Sequence, residues 1–220
     1  MEKYQTGADV HELLIELHYL PSLDYMAGLL RFDRVRIEAK EHYQKQSYRN
    51  RCYVLTSNKV DCLTVPVQDG THKQPIRDVR IDNRQAWQDR HWRCLSAAYG
   101  KAPFFEYYAP YLEPVIRKQA DFLFDLNLEL LTICLHLLGQ RVDLSLTDWY
   151  EKELFGKVFD ARSRLNARQR ESDYLFYQSW PYTQNFGNVF VPNLSIIDLL
   201  FCQGPTALDV LKKSQIRVVS

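Results

Sequence analysis

Glycine is scarce in this 220-residue chain, with eight in all, and none of them falls in a phosphate-wrapping pattern. There is no G-x-G-x-x-G, no G-x-x-x-x-G-K-S/T, no H-E-x-x-H and no G-x-S-x-G, so dinucleotide, P-loop, zincin and nucleophile-elbow solutions have no support. The five cysteines, Cys52, Cys62, Cys94, Cys134 and Cys202, are odd in number and lack C-x-x-C spacing. Neither a disulfide framework nor a zinc knuckle is expected, no metal site is assigned, and a reducing, cytoplasmic location fits best. Neither sign of charge dominates: 28 lysines and arginines meet 27 acids, which gives no global attraction to nucleic acid or to a membrane surface. Long apolar runs are also missing. The greasiest stretch, 122–138, is interrupted by Asp125, Asn127, Glu129 and His136 and falls short of the ~20 residues that span a bilayer. It reads as a buried helix. The opening MEKYQTGADV has no basic-then-apolar leader.

What the chain does have is one dense polar block, Glu38 to Arg51, EAKEHYQKQSYRNR. It lies between two strand-like runs, Phe32–Ile37 and Cys52–Thr56, so its charges sit where strands end, and strand ends are where sites are usually built. The bland alternative is a solvated connection between strands. A solubilising loop needs charge of any kind, whereas this one combines fork donors (Arg49, Arg51), an imidazole (His42), phenols (Tyr43, Tyr48) and amides (Gln44, Asn50). That set suits an anionic, hydroxyl-rich ligand.

Periodicity supplies the frame. Leu13–Leu17 reads as an opening strand ending in the turn His18-Tyr19-Leu20-Pro21, and Ser22 is placed to cap a helix through Leu23, Met26, Ala27 and Leu30. Phe32–Ile37, Cys52–Thr56 and Val60–Val67 read as strands of an antiparallel meander, and Ile76–Ile81 as one more. The loop between, Gln68 to Pro75, carries His72 and Lys73 and can close over a ligand or merely connect strands.

Asp82 or Asn83 is placed to cap a helix with Trp87, His91, Leu95 and Ala98 on one face, and Gly100 ends it. On that apolar stripe His91 reads as a satisfied core histidine. A second helical piece to Lys118 contains Pro110 and Pro114, which should break or kink it. Val142–Leu146 reads as a short strand. Arg162, Arg164, Arg168 and Arg170 read as a solvated basic face rather than an RNA-binding arm. Ser195, Asp198 and Thr206 have capping positions for two final helices, and Ile216–Val219 reads as a last strand. The expected fold is a mixed α/β single domain over 1–220: an N-terminal mixed sheet with packed helices and a largely helical C-terminal half, with α+β as the alternative.

Separated blocks of this chain resemble the WbqC-like protein family. They are His18-Tyr19-Leu20-Pro21 to Tyr25; His42 to Arg51 with Leu63-Thr64-Val65-Pro66-Val67; Gln74-Pro75-Ile76 with Ile81-Asp82-Asn83; Trp87 and His91; Tyr99 to Phe105; and Asn193 to Phe201 with Gly204-Pro205. The resemblance implies a bacterial protein of surface-polysaccharide (O-antigen) synthesis, with an acyl or aminoacyl, glycine-type, transferase role. Many members carry Gln-Pro where this chain has His18-Tyr19, and paired aspartates where it has Ala39-Lys40.

Acyl transfer to an amine needs a base for the amine proton, donors for the developing oxyanion, and cationic groups for an activated donor. On this reading His18 or His42 is the base, and Tyr43 and Asn50 are oxyanion donors. Lys45, Arg49 and Arg51 bind phosphate or carboxylate, with His72 and Lys101 in support. The partner is an activated donor or sugar-linked small molecule; the sequence names no cofactor. The alternative from another class is a scaffolding protein that binds a sugar nucleotide without turning it over.

Overall fold

The computed structural model describes residues 11–167 and 169–216. The first ten residues, Arg168 and all of the expected last strand beyond Ile216 lie outside these residues.

β1 (Glu12–Ile15) sends Leu13 and Ile15 into the main hydrophobic cluster, while Leu14 is buried on the opposite face. The Ser22 hydroxyl accepts from the Tyr25 amide at 3.4 Å and caps α1 (Leu23–Leu29), as its position predicts. α1 returns the chain to β2 (Arg34–Ile37), which pairs with β1 in parallel.

The chain then leaves the sheet for an antiparallel hairpin, β3 (Arg51–Leu55) and β4 (Val60–Thr64). Three helices follow: α2 (Trp87–Tyr99), α3 (Phe105–Arg117) and α4 (Leu123–Leu137). β5 (Asp143–Leu146) and β6 (Val158–Asp160) come back to flank the first two strands, giving an all-parallel sheet in the order β5-β2-β1-β6. α5 (Ile196–Gln203) and α6 (Ala207–Lys213) complete the mixed α/β fold.

Several local expectations yield to packing. Only β3 and β4 are antiparallel; β2 joins β1 and β5 in parallel because Val35 and Ile37 stand level with Leu13 and Ile15 on the same buried face. The sheet is therefore not N-terminal alone, since two of its four strands come from the second half of the chain. Ile76–Ile81 is no strand: Ile76 and Val79 are buried three residues apart, which suits the short 3-10 turn over Ile76–Asp78. α2 starts at Trp87 without a side-chain cap. Asp82 instead accepts from Arg84 and Gln85, and Asn83 Oδ1 accepts from Trp87 Nε1 and Gln88 Nε2.

Ser195 donates to the Leu20 carbonyl at 2.8 Å, and Thr206 to the Gln203 carbonyl at 2.9 Å, so neither caps a helix with its side chain. α3 runs on through both prolines. Pro110 and Pro114 lie one turn apart on its exposed face, where the carbonyls they leave without partners meet water.

At Gly28 on α1 an added Cβ would stand 2.5 Å from the buried Phe176 ring. Gly28→Ala should therefore destabilise the fold by about 1–3 kcal/mol, read as a lower urea midpoint with an unchanged slope.

Candidate functional site

In an open parallel sheet the carboxyl ends of the strands form the customary ligand-binding edge. Here all four strands end in polar groups. β1 runs into Glu16 and His18, β2 into Glu38 and Glu41, β5 into Thr147, and β6 ends at Asp160 and runs into Arg162 and Ser163. The loop that follows β2 adds Arg49.

These groups form one linked set. Glu38 accepts from Thr147 Oγ1 at 2.8 Å, from the Lys40 amide at 2.8 Å and from Arg162 at 2.9 Å. Arg162 also grips Asp160 through two bonds of 3.0 and 2.8 Å. Glu16 accepts from the Ser163 amide at 2.9 Å and faces His18 Nε2 at 3.2 Å. Arg49 spans the middle, with its fork on Glu41 at 2.7 and 2.5 Å, Ser163 Oγ at 3.0 Å and Glu16 at 3.5 Å.

Four carboxylates (Glu16, Glu38, Glu41, Asp160) thus face two guanidiniums, Arg49 and Arg162. This surplus separates the two carboxyls that share Arg49. Burial alone would raise Glu16, but its bond to His18, the Arg49 charge and the Ser163 amide outweigh that and hold it down at about 2. Glu41 moves the other way, to about 6, because burial and the neighbouring Glu16 and Glu38 charges outweigh Arg49.

His18 is fully buried, with its ring 4.5 Å from that of Tyr25 and 5.1 Å from that of Tyr48. Burial pushes its pKa down despite Glu16, so the neutral form prevails. An ionised Glu16 can only accept, which assigns the proton to Nε2 and leaves Nδ1 with a lone pair. That Nδ1 is buried and makes no hydrogen bond.

Of the residues singled out in the sequence, the structure brings His18 and Arg49 into this cluster, with Tyr43 feeling the charges of Arg49 and Arg51. Burial raises the Tyr43 phenol to about 12, so it stays a donor. Asn50 is buried but directs Nδ2 to the Val65 carbonyl at 2.9 Å, and Arg51 is half-buried on β3. The stretch 41–43 alternates, with Glu41 and Tyr43 buried and His42 exposed, so His42 points away from Glu41. Lys45, His72 and Lys101 are exposed, on the loop after β2, on the 68–75 loop and after α2 respectively.

His91 is the core histidine expected, and both of its nitrogens are engaged, by Tyr19 OH at 2.9 Å and the Thr64 carbonyl at 3.2 Å. The carboxylates were not anticipated, nor was Arg162 as part of a site. The available signal was Glu16, an acid inside the apolar run LLIEL. A buried charge needs a partner, and Arg49 supplies it. Among the described residues no group of three or more His, Cys, Asp and Glu side chains is arranged to hold a metal ion, and no helix is long and apolar enough to cross a membrane.

Residues 17–170 and 150–210 match the profile of the WbqC-like protein family. An uncharacterised protein of Mycobacterium tuberculosis, Rv1507c, is 31% identical over 229 aligned positions, which cover 90% of this chain and 96% of that protein. No solved structure matches the chain.

Two stability predictions follow from the cluster. Arg49→Ala leaves two buried carboxylates without their counter-charge and should lower stability by about 3–5 kcal/mol, measured by urea unfolding at pH 7. The pH dependence has two opposite parts. Glu16, depressed in the folded state, contributes stability that is complete above about 4.5 and is lost as pH falls towards about 2. Glu41, raised in the folded state, holds its proton longer folded than unfolded, so stability declines as pH rises from about 4.5 through about 6. Glu41→Gln should abolish that decline, and Glu16→Gln should flatten the acid limb, in unfolding curves taken from pH 2 to 8.

Proposed function

The chain belongs to the WbqC-like protein family, and from that premise we propose that it is an acyl or aminoacyl transferase of surface-polysaccharide synthesis, acting on an amino sugar at the strand-end cluster. The observation that carries this reading is the Glu16–His18 pair: a buried carboxylate fixes the imidazole tautomer and leaves Nδ1 as an unpaired base. The same principle, with the two ring nitrogens exchanged, underlies imidazole bases oriented by a carboxylate. The surplus of carboxylates over guanidiniums favours a substrate that arrives as an ammonium, with Glu41 the group poised to accept its hydrogen bonds.

In the reaction the bound ammonium first gives one proton to the Glu41 carboxylate, which passes it on to water, and the free amine then attacks the acyl carbonyl carbon so that a C–N bond forms. The amine proton passes to His18 Nδ1, Glu16 stabilises the imidazolium, and the leaving group departs with the electron pair of its bond to the acyl carbon. The imidazolium then returns its proton to the leaving group or to water. Tyr43, a phenol throughout the neutral range, is the candidate donor to the tetrahedral oxyanion. His18 is fully buried against the Tyr25 and Tyr48 rings, so substrate reaches it only after a local rearrangement of its cover.

A second reading, binding without turnover, has its own support in the Arg49 fork, which is already engaged by Glu41. The two readings separate in one assay. The protein is incubated with an amino sugar and either glycyl-phosphate or acyl-thioester donors, and amide product is followed by mass spectrometry. Product is expected from the wild type, reduced about 100-fold or more in His18→Gln. Glu16→Gln should retain measurable turnover with a displaced pH profile. Ligand-induced thermal stabilisation without product from any donor would sink the transferase reading and favour the binding one.

A further inference from the structure

All-parallel sheets are usually covered on both faces. In this sheet only one face is fully apolar. The other presents Glu12, Arg34, Arg36, Asp143 and Ser145 in register around the buried Leu14, and an open groove of about 910 Å³ lies between Glu12, Arg36 and Val158 of the sheet and the segment that follows β5. Two properties of the groove point to a ligand class.

Its wall carries exposed aromatic rings within a few residues of one another: Trp149 is 65% exposed, Tyr150 48% and Phe155 84%. Exposed rings grouped in this way mark binding surfaces rather than packing. Its floor is a fixed hydrogen-bonding array, because the Arg36 guanidinium is held between Glu12 and Glu151, the latter through NH1 at 2.7 Å and NH2 at 3.4 Å.

Flat rings beside planar bidentate groups match a pyranose, which offers a C–H face for stacking and pairs of adjacent hydroxyls for carboxylate or guanidinium. Groove charges of both signs disfavour a polyanion, and the polar groups between the rings disfavour an apolar helix. The groove also touches the strand-end cluster. The Arg162 guanidinium that bonds Glu38 lies 4.6 Å from the centre of the Tyr150 ring.

We propose that the open face of the parallel sheet is a glycan-binding subsite, in which sugar rings stack on Trp149 and Phe155 and their hydroxyls meet the Glu12–Arg36–Glu151 array. This deepens the transferase reading by giving the acceptor's remaining sugar units a place, and it rests on that reading for the identity of the acceptor.

The test uses the full chain with the glucosamine tetramer and its N-acetylated counterpart as probes, titrated by calorimetry and by saturation-transfer NMR at two salt concentrations. Saturable binding of at least one probe is expected, weakened tenfold or more in Trp149→Ala/Phe155→Ala at both salt concentrations. The unfolding temperature of that variant should be unchanged, since both side chains are exposed. Tyr107→Ala/Tyr111→Ala, which removes exposed rings outside the groove, should bind as the wild type does, and because no acyl donor is present the titration reads glycan binding separately from turnover. Absence of saturable binding by either probe at millimolar concentration would overturn the proposal. So would binding that the double variant leaves intact.

Discussion

The structure turns on a guanidinium placed where water cannot reach it. Arg49 comes from the most polar stretch of the chain and is nonetheless buried, because its fork is complete: two bonds to Glu41, one to Ser163 and a close approach to Glu16. Removing Glu41 would strip the buried guanidinium of both its charge-assisted bonds and leave its desolvation poorly compensated. The loop after β2 is consequently no free surface segment. Its backbone is tied down as well, with Tyr48 accepting from the Tyr19 amide at 2.8 Å and Arg49 from the Asn127 side chain at 2.7 Å. The first crossover, the hairpin and α4 all close on this one residue.

Much of the secondary structure was legible in the sequence, because it depends on local pattern. The opening strand, the Ser22 cap, the buried helix and the strand near Val142 all follow from short-range periodicity or capping chemistry. Pairing did not. Nothing in Phe32–Ile37 states that its neighbours will be residues 12–15 and 143–146, since a strand buried on one face can join either kind of sheet. The misplaced caps share one cause. Asp82, Ser195 and Thr206 have the right chemistry to cap, but each found another partner at shorter reach or in the core, and a polar side chain with two possible bonds follows tertiary geometry.

The site was half visible for a related reason. Charge type and position picked out His18, Arg49 and Tyr43, but charge balance is a property of the assembled edge. In the sequence the block after β2 looks cationic, suited to an anion. In the fold its Arg49 is neutralised by Glu41 of the same block and by Glu16 from the end of β1, and the surplus that remains is negative. The alternation of 41–43 sends the His42 imidazole into solvent while Glu41 and Tyr43 on either side of it turn inward. Arg162, part of an apparently solvated basic run, is drawn into the edge by Glu38 from a strand more than a hundred residues earlier.

The strand order has a consequence in time. β1 is made first and β6 near the end of the chain, yet the two are hydrogen-bonded neighbours. At ribosomal rates of about 5–20 residues per second, Glu16 waits on the order of 10 s for Ser163 to be synthesised, and Glu38 about as long for Arg162. Until β5 is made the first two strands form a two-stranded parallel fragment with open edges, which is too little to fold on its own, and until β6 follows β1 remains an open edge. Contacts of such long separation slow folding and leave edges exposed to other chains. A chain ending before β6 would therefore leave the backbone of β1 unpaired along one edge, open to pairing with another chain.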